Sequence, residues 1–199
     1  MMYSFFALIS RMKYIDRWEL MRNSRNENLS EHSLDVAVIA HALCVIANKR
    51  FGKKLDVEKA ALVGIYHDSS EIITGDMPTP VKYYGEEIRD AYKQVEAVAE
   101  SRLLQKLPDD LRDEFERIYR PDDTESERYM RRLVKAADKI SAFIKCVNEE
   151  NTGNKEFERA KESTEKAIRN MEVELPEVEV FMKEFMPAYG ETLDDLLKI

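Results

Sequence analysis

Glycine and proline are scarce in this chain, 6 of each in 199 residues, and no segment alternates apolar and polar residues as a half-buried strand would. With strand patterns missing and long stretches rich in Ala, Leu, Glu, Lys and Arg, the expected class is all-α. Cysteine is nearly absent as well. Cys44 and Cys146 lie far apart in apolar helical settings, which leaves no cysteine-based metal motif and predicts two buried thiols in a reducing compartment. Positive charge is in deficit, 31 Lys and Arg against 39 Asp and Glu for a net charge of −8. Such a balance repels a polyanion at long range and argues against a nucleic-acid polymer as partner unless the basic residues gather on one face. A small phosphorylated substrate needs only a local basic patch. The apolar run from Tyr3 to Ile9 has no basic residue ahead of it and falls far short of the roughly 20 residues that cross a bilayer. A cytoplasmic protein with no membrane partner is the expectation.

The length suits one core, so residues 1–199 are read as a single domain. Phe5, Phe6, Leu8, Ile9 and Met12 recur at helical spacing and predict a short first helix; Glu19 to Asn28 is polar and predicts a loop or irregular helix. Asn28 with Glu31 three residues later forms a capping-box pattern for a helix to about Lys49, apolar nearly all round from Val36 to Ala47 and hence expected to be buried. Further helices are predicted over Val57 to Ile73, Glu86 to Leu107, Asp109 to Tyr119, Glu127 to Glu150, Glu156 to Met171 and Pro176 to Met186, with Gly75 as a left-handed cap. Ile88, Ala91, Val95, Val98, Leu103 and Leu107 should face inward. Thr192 is placed to cap one last short helix.

Only a few residues carry chemistry. His67 and Asp68 stand side by side after the apolar run from Ala60 to Tyr66, with His32 far upstream and Asp138 far downstream. Two neutral imidazoles and two carboxylates balance a dication, and nitrogen with oxygen donors suits manganese, cobalt, iron, nickel or zinc. At about 100° of turn per residue His67 and Glu71 lie one above the other on a helix, with Asp68 about one residue's rotation to the side, so all three point into one quadrant. Asp138 shares a stripe with Val134, Ala137 and Ile144, so its charge requires a partner, either a lysine or arginine or a metal. His41 lies nine residues after His32, about 180° around the same helix, and is assigned to the surface or to helix packing. Glu71 is surplus to the charge balance and free to hold or deprotonate a water. Asp76, just past Gly75, is placed at the cavity mouth or caps the turn.

Arg17-Trp18, Asn28-Leu29-Ser30-Glu31-His32-Ser33, Tyr66-His67-Asp68-Ser69-Ser70-Glu71 and Thr74 to Lys82 together resemble the HD-domain phosphohydrolases, and within them the YfbR-type 5'-deoxynucleotidases, over nearly the whole chain. The resemblance implies a helical HD-domain bundle, a homodimer, and removal of the 5'-phosphate from deoxyribonucleoside 5'-monophosphates. It implies one divalent transition metal, cobalt, manganese or similar, held by His32, His67, Asp68 and Asp138. Arg17, Glu71 and Asp76 become the catalytic residues; Arg17, Trp18, His32 and Asp76 the substrate-binding ones. Arg17 offers a planar fork for phosphate and Trp18, the only tryptophan, a rigid face for sugar or base. Lys82, Arg22 and Arg25 are weaker candidates, more naturally solvated surface cations. The acidic loop from Asp122 to Ser126 is expected near substrate but carries no recognisable motif.

Two rival readings remain open on the residues alone. Another HD hydrolase, acting on a cyclic nucleotide, an alarmone or a nucleoside triphosphate, would need more cations around the site than one clear arginine. A non-catalytic nucleotide sensor with a structural metal would have no use for the extra acid Glu71.

Overall fold

The computed structural model describes residues 2–78, 81 and 84–198. Among them the chain is all-α, its one extended pairing being an isolated antiparallel bridge between Asp16 and Asn28. The helices are α1 (Phe5–Ile9), α2 (Leu29–Arg50), α3 (Val57–Tyr66), α4 (Glu71–Thr74), α5 (Glu86–Leu104), α6 (Asp109–Tyr119), α7 (Glu125–Asn151), α8 (Glu158–Glu172), α9 (Pro176–Glu184) and α10 (Leu193–Leu197). A 3-10 turn over Ser10–Tyr14 extends α1.

Local chemistry sets the boundaries. Asn28 Oδ1 accepts from the backbone N–H groups of Ser30 and Glu31 while the Glu31 carboxylate reaches back to the Asn28 N–H, completing the capping box of α2. Asp56, Thr124 and Thr192 cap α3, α7 and α10 by a single side-chain bond each, accepting from the backbone N–H groups of Lys59, Glu127 and Asp195. Val36, Ile39, Ala40, Leu43 and Ala47 of α2 meet Leu133, Ala137, Ile140 and Ile144 of α7 in the main core. α3 crosses α2 at Gly64, where an added Cβ would stand 2.7 Å from the Ala37 Cα. Only a glycine permits that approach.

Several expectations need correction. α2 is not buried all round: Leu34 and Val38 are 61% and 60% exposed, on a strip with the exposed His41. The helix is long and apolar enough to cross a membrane, yet its other faces are buried against α3 and α7, so here it is the central helix of the core. The predicted helix from Val57 to Ile73 breaks after Tyr66. Ser69 N–H bonds to Tyr66 O at 3.0 Å, Glu71 N–H to Asp68 O at 3.0 Å and Ile72 N–H to Ser69 O at 3.2 Å, a tightening to i→i+3 geometry that sets off α4. α5 ends at Leu104 and buries Tyr92, Ala99, Leu103 and Leu104, leaving Ile88, Val95 and Val98 exposed. The Tyr92 hydroxyl, 3.4 Å from Gly75 O and 3.3 Å from Thr74 Oγ1, anchors that face against the end of α4.

Candidate metal centre and substrate pocket

His32, in the first turn of α2, is fully buried, and its Nδ1 lies 3.0 Å from Ser141 Oγ on α7. His67, at the end of α3, has its Nδ1 2.7 Å from Gly64 O; a carbonyl only accepts, so Nδ1 carries a proton and Nε2 is the nitrogen left to take a second proton or a metal. Both Nε2 atoms are buried with no hydrogen-bond partner. They face carboxylates instead: His67 Nε2 is 3.1 Å from Asp68 Oδ2, and His32 Nε2 is 3.6 Å from Asp68 Oδ2 and 3.2 Å from Asp138 Oδ1. One donor atom each from His32, His67 and Asp68 fall within 4.8 Å of one another. Asp138 reaches this group through His32, and its other oxygen sits 3.0 Å from Lys139 Nζ. It is half-buried at a pocket wall and does not face a closed core as its stripe suggested.

The charges are arranged to hold a cation. Burial, with Arg17 adding to it, lowers the pKa of His32. Burial also works against a proton on His67, but Asp68 and then Asp138 outweigh it and raise this imidazole to about 9. Burial would raise both carboxyls; His67 nevertheless draws Asp68 below the usual carboxylate range, and His32 with Lys139 draws Asp138 well below it. Two ionised carboxylates and two convergent imidazole nitrogens, each imidazole fixed by a bond at its far nitrogen, are the donor set a divalent transition metal takes.

A pocket of about 480 Å³ adjoins this cluster at Asp138, bounded by Arg17, Trp18 and Met21 on one side, Asp76 and Met77 on another, and Ser163, Thr164 and Ala167 of α8 opposite. Arg17 is nearly buried. Burial alone would lower its pKa, but Glu27 first, then Asp138, Asp68 and Asp76, raise it. Asp76 is pushed up by burial, against the pull of Arg17 and of a hydrogen bond from the Trp18 backbone. Glu71 opens α4 as a buried residue, one tight turn past Asp68.

The remaining candidates disperse. His41 is exposed on α2, as the rotation argument required. Arg22 is exposed, Arg25 pairs with Glu31 at 3.0 Å on the surface, and Lys82 lies outside the described residues. Asp122, Thr124 and Ser126 line a separate small cavity with Lys54 and Lys59, so the expectation of this loop at the pocket is not met. Sequence reasoning missed Glu27, Ser141, Lys139 and the α8 wall. Ser141 had a legible signal, its i+3 spacing from Asp138 on one helix face. Glu27 had none, because loop geometry brings it to Arg17 and Trp18.

The bundle is the HD-domain phosphohydrolase fold: a crystal structure of such a protein from Listeria innocua superposes with a TM-score of 0.78 at 22% identity, covering 94% of this chain and 88% of that one. Two curated 5'-deoxynucleotidases align over 192 residues, from Vibrio atlanticus at 46% identity (96% of this chain, 97% of that one) and from Pectobacterium atrosepticum at 44% (96% and 94%). The family model described as 5'-deoxynucleotidase YfbR-like matches residues 4–189, and the chain belongs to that family.

Proposed function

We propose that this 5'-deoxynucleotidase hydrolyses deoxyribonucleoside 5'-monophosphates at a divalent metal held by His32, His67, Asp68 and Asp138, with the substrate in the pocket between Arg17, Trp18, Asp76 and α8. The observation that carries the reading is the pair of buried Nε2 atoms aimed at two carboxylates, each histidine locked through its Nδ1. A bound dication supplies Lewis acidity toward a phosphoryl oxygen and lowers the pKa of water. Arg17 neutralises charge on the phosphoryl group, and Glu71 orients the attacking water and accepts its proton. Asp76 holds the sugar or passes a proton to the departing 5'-oxygen, and His32 lies against the phosphate end. Trp18 sets its ring against the sugar. The free, buried Cys44 and Cys146 fit a cytoplasmic enzyme.

The test is phosphate release from a panel of deoxy- and ribonucleotides by metal-stripped protein with manganese, cobalt, magnesium and zinc restored singly. Activity on nucleoside 5'-monophosphates, roughly 10- to 100-fold in favour of the deoxy sugar and dependent on a transition metal, is expected. Equal turnover in chelator, or preference for a cyclic nucleotide or triphosphate, overturns the proposal. A homodimer accompanies this reading, supported by the exposed Leu34 and Val38 strip on an otherwise buried helix. Sedimentation at monomer mass would refute that part alone.

A further inference from the structure

Residues 15–28 form a strap that carries Arg17 and Trp18 across the pocket. Its root is closed by the Asp16 to Asn28 bridge, with Arg17 N–H donating to Glu27 O at 2.8 Å and Leu29 N–H to Ile15 O at 3.0 Å. Beyond the root the backbone is strained. Trp18 has φ 61°, a left-handed conformation that a bulky residue holds only when its surroundings impose it. The Trp18 carbonyl accepts from Met21 N–H at 2.9 Å and from Asn23 Nδ2 at 3.2 Å, so the strained residue opens a tight turn into the tip.

That tip is tied to one buried acid. Glu149 of α7, 2% exposed, accepts at Oε2 from Ser24 N–H at 2.9 Å, from Asn154 Nδ2 at 2.7 Å and from the Ser24 hydroxyl. Its Oε1 takes Lys145, whose ammonium also donates to Arg25 O at 2.5 Å. Asn154 further donates to Arg22 O at 2.8 Å. Lys145 lies 5.3 Å from the Phe157 ring centroid, and Phe157 is the ring against which Trp18 packs, also at 5.3 Å. The backbone at 22, 24 and 25 and the Trp18 ring thus all refer back to one hub.

Glu149 follows Asp138 by eleven residues on α7, about 16 Å along the axis and only about 20° around it. One face of a single helix therefore carries both the cage carboxylate and the strap anchor. A buried ion pair is weak as a source of stability, and its better-attested use is to select one conformation. We infer that Glu149, with Lys145, is a positioning residue for the nucleotide pocket: it holds the strap tip so that Trp18 and Arg17 stand in register with Asp138, the proposed metal ligand on α7. This rests on the functional reading given above.

The test uses Glu149→Gln and, as a variant outside α7 that removes strap contacts together with the cap of the 155–157 turn, Asn154→Ala. Trp18 is the only tryptophan, so its acrylamide quenching reports the strap directly, beside metal content and steady-state kinetics on thymidine 5'-monophosphate. If the strap is in register in only a tenth of Glu149→Gln molecules, KM rises about 10-fold with kcat within about 3-fold of the parent. Quenching should rise in both variants while metal content stays parental, with the smaller KM change in Asn154→Ala. Parental KM and quenching in both variants overturn the inference, as does a joint fall of kcat and metal content at unchanged KM. Failure of the functional reading looks different. The parent then releases no phosphate from this substrate, while the Trp18 signal still reports whether Glu149 holds the strap.

Discussion

Glu27 holds Arg17 by a 2.6 Å ion pair from its Oε2 to the guanidinium Nη1, deep in the pocket wall. The same oxygen accepts from Trp18 Nε1 at 3.2 Å, so one carboxylate orients the Arg17 guanidinium and the Trp18 ring together. This bond also takes up part of the Arg17 fork.

Because Trp18 is held edge-on by Glu27 and backed by Phe157, its ring is a rigid wall, and a 2'-hydroxyl placed against it would lose hydration without gaining a partner. An unsatisfied hydroxyl costs about 1–3 kcal/mol, which corresponds to roughly 10- to 100-fold discrimination. Trp18→Ala should narrow the deoxy-to-ribo ratio of kcat/KM, and Arg17→Ala should depress both sugars alike. A parental ratio in Trp18→Ala would place the wall elsewhere.

Asp138 and His41 provide a paired test of the cage. Asp138→Asn is expected to lose metal and activity together, since it weakens the carboxylate beside His32 Nε2, whereas His41→Gln, on the exposed side of α2, loses neither. Metal content by elemental analysis decides it. Equal metal in Asp138→Asn and the parent removes Asp138 from the ligand set.

For Glu71 the expected outcome is separation of binding from chemistry. Glu71→Ala should retain metal and bind nucleotide by calorimetry while turnover falls roughly 10²-fold or more, the usual size of a lost general base. Loss of metal would make Glu71 a ligand, and near-normal turnover would leave it with no catalytic role.

Gly64 couples the fold to the site. An alanine methyl there would sit 2.7 Å from the Ala37 Cα and 2.8 Å from the Ala37 nitrogen, forcing α3 away from α2. These helices carry His67 and His32, and Gly64 O accepts the His67 Nδ1 proton. Overpacking of this kind costs about 1–3 kcal/mol. Gly64→Ala should lower the midpoint of denaturant unfolding and weaken metal affinity in the same protein; a stable variant with parental affinity contradicts the coupling.

The last prediction is a pH dependence at the strap anchor. Burial would raise the Glu149 carboxyl, but Lys145, Ser24 and Asn154 together lower it from 4.5 to about 2. A group depressed on folding contributes stability above its unfolded pKa and loses that contribution as pH falls toward its folded value. Between pH 4.5 and 2 the parent should therefore lose unfolding free energy more steeply than Glu149→Gln. Parallel curves from urea titrations at stepped pH would refute the shift.

The helical class, the cap of α2 and the surface position of His41 were legible because each depends on residue type and near-neighbour spacing, whereas the gathering of His32 with His67 and Asp68, 35 residues apart, was implied only by the family resemblance. The capping box needs only Asn28 and Glu31; the rotation of His41 away from His32 needs only the helical period. The break after Tyr66 was not legible. His67 to Ser70 has helix-forming neighbours on both sides, and the tightening is set by tertiary demands, with the Ser69 hydroxyl 2.8 Å from both Tyr66 O and Tyr119 Oη. The buried face of α5 went wrong for a related reason: Ile88, Val95 and Val98 are as apolar as the residues that were buried, and only the docking of Tyr92 on α4 decides between two stripes. Glu27, Glu149 and the α8 wall came entirely from the folded chain. Glu27 meets Trp18 at a separation of 9 residues and Glu149 meets Ser24 at one of 125, and no periodicity encodes which loop a helix face will meet.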